Sequence, residues 1–143
     1  MKNRFAHCIF CDSIIQEEGN KFSFIGVYGP DLVMDQMPSS IPRLCVVPTF
    51  NAGIDDPVKS LKVVIRLGDE VLQEVETPAA YLEGTRQVFV DAAGDKPEGI
   101  NAFYKIQASV TPLNFSKASV LEVAVIADGQ EYIAGRLQIK TAT

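Results

Sequence analysis

A chain of 143 residues, 47% apolar and 22% charged, has the make-up of one folded domain spanning 1–143. At that length it can bury about 68–70% of its unfolded surface, enough for a core without disulfide or metal staples. The net charge of −5 is scattered, as in Asp55-Asp56 and Asp69-Glu70, and there is no basic stripe, which argues against a phosphate-reading surface and so against a nucleic-acid partner. No run approaches the roughly 18 apolar residues of a membrane helix. The opening Met-Lys-Asn-Arg leads into a stretch that turns polar at Asp12 without a small-residue cleavage site. Neither a signal peptide nor a membrane partner is expected, and the expected location is cytoplasmic.

Arg4 to Gly29 is the densest run of aromatic and β-branched residues. It holds the only histidine and two of the three cysteines. Phe5–Cys11 and Phe22–Tyr28 fit two half-buried strands, and Gly19-Asn20 between them adopts positive φ cheaply, so a long first hairpin is predicted. Asp12-Ser13 interrupts the first strand and reads as a bulge. Gly26 reads as a bend or a close approach of another chain.

Cys11-Asp12, Gly19-Asn20-Lys21 and Ile25-Gly26-Val27-Tyr28-Gly29 together resemble the opening of an uncharacterised family of small bacterial and phage proteins. Its pattern is a strand ending in an acid, a Gly-x-Lys-type turn, and a strand running into glycine. The resemblance covers about the first fifth of the chain. It implies an all-β sandwich and a phage- or prophage-related setting, and it implies no activity.

Further along, Leu32-Val33-Met34 fits a short edge strand, followed by an irregular stretch in which Pro38 and Pro42 forbid regular pairing. Arg43–Val47 is a strand whose end is set at Pro48, and 51–57 is a loop. Leu61–Leu67 alternates, with Lys62 and Arg66 on the polar face. Gly68-Asp69 turns the chain and 71–77 returns. Residues 78–85 break the pattern with at most one helical turn. Strands are predicted at 86–90 and 103–110, with a polar loop over 91–101 between them.

In the last hairpin, Leu121, Val123 and Val125 share one face, as do Ile133, Leu137 and Ile139. A two-residue Asp128-Gly129 turn would pair Val125 with Tyr132 and set the two groups on opposite faces. A three-residue turn, Ala127-Asp128-Gly129, pairs Val123 with Ile133 and is therefore predicted. The total is eight to nine strands without a long helix. The fold class is all-β, an antiparallel two-sheet β-sandwich with an immunoglobulin-like or C2-like outline.

His7, Cys8, Cys11 and Cys45 form a possible zinc set by residue type. In a strand, however, Cys8 and Cys11 project from opposite faces, so buried thiols are the expected role and no metal or cofactor is expected. His7 beside Asp12 is the one general-base candidate, without a visible nucleophile to activate. Aspartates of the 51–56 and 91–95 loops could meet at one end of a sandwich and bind calcium, but their spacing matches no EF-hand. No phosphate-cradling glycine motif occurs.

Leu32, Val33, Met34, Met37 and Ile41 form the candidate partner-binding patch, because methionine adapts well at binding surfaces. The alternative is that this stretch folds over the open end of the sandwich. The reading is a non-enzymatic protein that binds a protein partner or itself, with a homodimer as one form of the latter. The alternatives are a metal-dependent module or enzyme using His7, Cys8, Cys11 and Asp12, and a structural virion component.

Overall fold

The structure, a computed structural model, describes residues 3–96 and 98–142. Met1 and Lys2 of the N-terminal reading, and Pro97 of the predicted 91–101 loop, lie outside the described residues.

The predicted first hairpin forms from β1 (Phe5–Glu17) and β2 (Lys21–Val27), reversed by Gly19 at φ 79° and Asn20 at φ 59°. Next come β3 (Asp31–Met34), β4 (Ser39–Ile41), β5 (Leu44–Gly53), β6 (Leu61–Leu67) and β7 (Glu70–Glu76). A helix, α1 (Ala79–Ala93), leads to β8 (Asn101–Lys105), β9 (Ala108–Val110), β10 (Leu113–Phe115), β11 (Ser119–Ala127) and β12 (Gln130–Thr141).

Two sheets make the sandwich. The first runs β2-β1-β5-β8, with β9 also on β5; the second runs β3-β12-β11-β6-β7. The β3–β12 pair is parallel and the other pairs are antiparallel. A small ribbon of β4 and β10 stands apart from both. Phe10, Val46 and Phe50 from the first sheet meet Val63, Leu121 and Leu137 from the second in one apolar core. The all-β sandwich expected from the strand spacing is thus what forms, with three- and four-residue strands raising the count.

Five local expectations are corrected. The strand predicted at 86–90 belongs to α1, which begins after Pro78. Ala79, Ala80, Leu82 and Glu83 are strong helix formers, and Leu82, Phe89 and Ala93 fall on one helical face against the core. The local Val88-Phe89-Val90 run hid that longer period.

Second, β5 runs straight through Pro48. The Pro48 carbonyl accepts from Ile106, so the missing N–H points to the same side, where the partner changes from β9 to β8. No ladder hydrogen bond is lost there. The same break divides the predicted 103–110 strand in two. Third, β5 continues to Gly53, inside the predicted loop. Fourth, Asp12-Ser13 inserts no extra residue: Cys11 pairs Val27 and Ser13 pairs Ile25 in one unbroken register.

Fifth, the last turn is the two-residue Asp128-Gly129, with φ 50° and 84°, and Val125 pairs Tyr132. The opposing parities are reconciled inside the strand. A bulge follows Ile133, so that Ala124 pairs Ile133 while Val123 pairs Gly135. Leu137 and Ile139 thereby turn inward with Leu121, and Ile133 is left exposed.

The bulge places Gly135 under β1. A Cβ on Gly135 would lie 3.1 Å from the Cys8 Cβ and 3.2 Å from the Phe10 ring. Gly135→Val is expected to destabilise the fold by about 1–3 kcal/mol through overpacking. Gly84→Ala, in the exposed part of α1 with nothing near its Cβ position, is expected to stabilise by about 0.5–1 kcal/mol. Urea unfolding followed by circular dichroism checks both.

Candidate functional site

On β5, Leu44, Val46, Phe50 and Ala52 face the core, yet the outward Cys45, Val47, Thr49 and Asn51 are buried as well. Something must cover them. At the β8 side, Phe89 of α1 packs edge-on at 5.2 Å against Phe103, which pairs with Asn51. Arg86 Nε donates to the Ile54 carbonyl at 2.7 Å and ties the helix to the turn after β5.

At the other side the cover is the distal half of the first hairpin. Residues 5–11 of β1 pair with β5, and residues 11–17 pair with β2. At the handover Gly26 has φ 68°, and the Asp12 carboxylate occupies the space a Cβ there would need. The Tyr28 hydroxyl donates to Asp12 at 2.7 Å, and burial followed by that hydrogen bond pushes the phenol up to about 12. Beyond this bend Phe24 reaches Lys105, whose ammonium sits 5.8 Å from the ring centre. Lys105 lies on β8, two strands past β1, and the core fills the inward route. The hairpin therefore passes over the outward face of β5.

Where its tip approaches α1, a cleft of about 520 Å³ remains. Phe22, Val75, Pro78, Tyr81 and Ile106 give it apolar walls, and Lys105 lies at its edge. Tyr81 donates to the Lys105 carbonyl at 2.7 Å, fixing the first turn of α1 to the end of β8. The Thr77 hydroxyl, also in the lining, is buried without a hydrogen-bond partner. A cleft of this size, apolar with one cation (Lys105) and one acid (Glu76) in its lining, suits binding of an apolar group.

The residues singled out by sequence are placed differently. His7 is exposed, opposite Thr49. Cys8 points inward against Gly135, and burial pushes its thiol up to about 12. Cys11 lies opposite Cys45 on the other face of the sheet. The four are therefore not gathered at one point, and no group of three or more His, Cys, Asp or Glu able to hold a metal occurs among the described residues.

Leu32 is a core residue at 2% exposure, because β3 adds to β12 with that side inward. Met34, Met37 and Ile41 pack half-buried against the core, and only Val33 is open to solvent, at 52%. The five do not make one exposed patch. The cleft was not foreseen: Tyr81 stood in a stretch read as patternless, and Phe22 in a strand read as half-buried.

Of the loop acids, Asp91 accepts from the Gln87 amide, and Asp56 accepts both Arg4 Nε and an η nitrogen at 2.7 and 2.9 Å. Arg4 also donates to Asp128 at 2.7 Å and lies 5.9 Å from the Phe50 ring centre. The second Asp128 oxygen accepts the N–H groups of Lys59 and Ser60 at 2.9 and 3.0 Å. This clamp joins the start of β1 to the β11–β12 turn and the loop before β6.

Comparison with known protein families finds no match, and comparison with curated proteins finds none. No helix among the described residues is long and apolar enough to cross a membrane.

Burial opposes the charge on Asp128, but the Arg4 hydrogen bond and the two amides outweigh it and hold its carboxyl below the ordinary value. A lowered folded value contributes stability that is present above the unfolded value and lost as pH falls through the folded one. Asp128→Asn keeps a residue that tolerates φ 50° while removing the charge. The variant is expected to lose about 1–2 kcal/mol near neutral pH, with the difference from wild type vanishing in acid, where wild-type Asp128 also protonates. Urea unfolding of both proteins across pH checks this.

Proposed function

We propose that this chain is a non-enzymatic binding module whose ligand is an extended protein segment. The segment adds along the outer edge of β2 and places an apolar side chain in the cleft. The observation that carries the reading is the set of exposed apolar residues on the first hairpin, whose tip residue Phe22 lines that cleft. Phe22 is 38% exposed, Ile25 48% and Val27 57%, and Ile15 on the paired strand is 42%.

The backbone edge supports the same reading. Among the described residues β2 pairs only with β1, so one row of its N–H and C=O groups has no strand partner there. An extended peptide can complete such an edge, with main-chain hydrogen bonds giving affinity and side-chain pockets giving selectivity. Gly26, at positive φ, ends the usable edge, leaving Lys21–Ile25 as the pairing stretch. Lys105 has an aromatic partner but no carboxylate ion pair among the described residues. This favours a segment with an acidic residue beside its apolar anchor on the Lys105 side of the cleft, away from the Glu76 that also lines it.

Selection of displayed peptides on the purified protein tests this. Segments alternating apolar residues with an acid beside the anchor are expected to enrich. Their affinity should fall about tenfold or more in Phe22→Ser, as expected for loss of roughly 1.4 kcal/mol of anchor contact. Lys105→Gln should weaken binding less and reduce its salt dependence. Circular dichroism should show both variants folded. No enrichment, or binding indifferent to Phe22→Ser, sinks the proposal. Binding replaced by self-association in sedimentation would identify the occupant as a second copy of the chain.

A further inference from the structure

We propose that Cys11 and Cys45 form a reversible intramolecular disulfide, a modification site at the root of the first hairpin, with a peroxide as the oxidant. This stands on geometry apart from the binding reading. The β1–β5 register sets the two residues directly opposite each other, and both side chains lie on the outward face.

The pairing type can be derived. The Pro48 carbonyl points to β8, so the opposed Cys8 and Pro48 share no ladder bonds. Alternation then makes Cys11–Cys45 a hydrogen-bonded pair, in agreement with the Phe10 carbonyl, which points the other way and accepts from Tyr28. Such a pair has its Cα atoms about 5.5 Å apart, inside the range that a disulfide spans. Its Cβ atoms lie at the wide end of about 4.5–5.5 Å, so closing the bond draws the strands together locally and leaves it readily reduced. The Cys45 thiol donates to the carbonyl of Asp12, the residue next to Cys11, at 3.6 Å. Both thiols are free in this structure, and Cys8 points to the opposite face, against Gly135.

The chemistry balances. One thiolate attacks a peroxide oxygen and breaks the O–O bond, giving a sulfenic acid and water. The second thiol displaces the sulfenic hydroxyl as a second water, leaving the S–S bond. Two thiols are oxidised and one hydrogen peroxide is reduced to two waters. Burial, and then the nearness of Cys45, hold Cys11 above its ordinary value, so Cys11 rests as the thiol. With Cys11 0% and Cys45 5% exposed, peroxide reaches them when the covering hairpin opens, and the reaction is slow near neutral pH and faster as pH rises. The link would tie β1 to β5 beside Asp12, where the hairpin bends away from the sheet.

The test treats the folded protein with hydrogen peroxide at several pH values, alkylates remaining thiols, and maps chymotryptic peptides without reduction. Cleavage after Phe10 separates Cys8 from Cys11. The expected product joins the Cys11 and Cys45 peptides, forms faster at higher pH, leaves Cys8 alkylated, and disappears with dithiothreitol. The oxidised protein should also unfold at higher urea. The proposal is overturned if all three thiols are alkylated after peroxide, if Cys8 is the linked residue, or if the two cysteines stop at separate sulfinic acids. Cys8→Ser should oxidise as wild type does, and Cys11→Ser should give no intramolecular link.

Discussion

The architecture depends on β1 serving two ladders in succession. Its first half is held on β5 and its second half holds β2, with the change of partner at Cys11 and Asp12. A strand that keeps one partner continues flat. A strand that changes partner mid-length can bend at the handover, provided a residue opposite tolerates it. Gly26 does, since its φ of 68° disfavours a side chain and the Asp12 carboxylate fills the space one would need. Tyr28 then fixes the Asp12 carboxylate by its hydroxyl. Everything placed on the outward face of the first sheet follows from that bend: the buried Val47 and Thr49, the Phe24–Lys105 contact and the cleft at the hairpin tip.

The second sheet treats its outward face in another way. Arg66 pairs with Glu122 and Glu131, Arg136 with Glu122, and Lys62 with Glu74. Surface pairs of this kind contribute at most about 1 kcal/mol each. Their consequence is solubility: alternating signs keep this face wet and discourage stacking on another sheet. The sandwich thus has one face that charge keeps exposed and one face that the hairpin and helix cover. The cleft falls at the seam of that cover, where apolar side chains of β2, β7 and α1 meet without closing.

What the sequence revealed divides along a physical line. Strands with one wet face, such as Leu61–Leu67, advertise their period, and residues with special φ, such as Gly19-Asn20, mark their turns. The parity conflict in the last hairpin was also legible, because Leu137 and Val125 could not both face inward across a two-residue turn. Its resolution was not, since a bulge at mid-strand costs no turn residue and leaves only a missing side chain at Gly135 as its trace. Short windows mislead for a related reason. Val88-Phe89-Val90 has strand propensity, and only a window opening at Ala79 shows the helical spacing of Leu82, Phe89 and Ala93. The cleft was the least legible feature. It joins Phe22, Val75, Tyr81 and Ile106, which are distant in the chain, and depends on a bend whose sign in sequence is one glycine opposite one aspartate.

These parts also rank in local stability. The base of the hairpin is anchored by the core through Phe10, and the Arg4 clamp holds the chain start against two loops. The tip has neither support. A two-stranded ribbon is marginal by itself, and here its contacts beyond the bend include Phe24 with Lys105 and Phe22 at the cleft. Opening confined to the tip would uncover Val47 and Thr49 but leave the core intact, so it would cost less than global unfolding, with the bend at Asp12 as its pivot. On the proposed binding reading, the β2 edge could adjust to an incoming strand while the sandwich beneath stays fixed. The Cys11–Cys45 pair lies at the fixed side of the pivot. A covalent link there would leave the tip free and make the base more rigid, so oxidation would act on how the hairpin departs from the sheet rather than on the cleft itself.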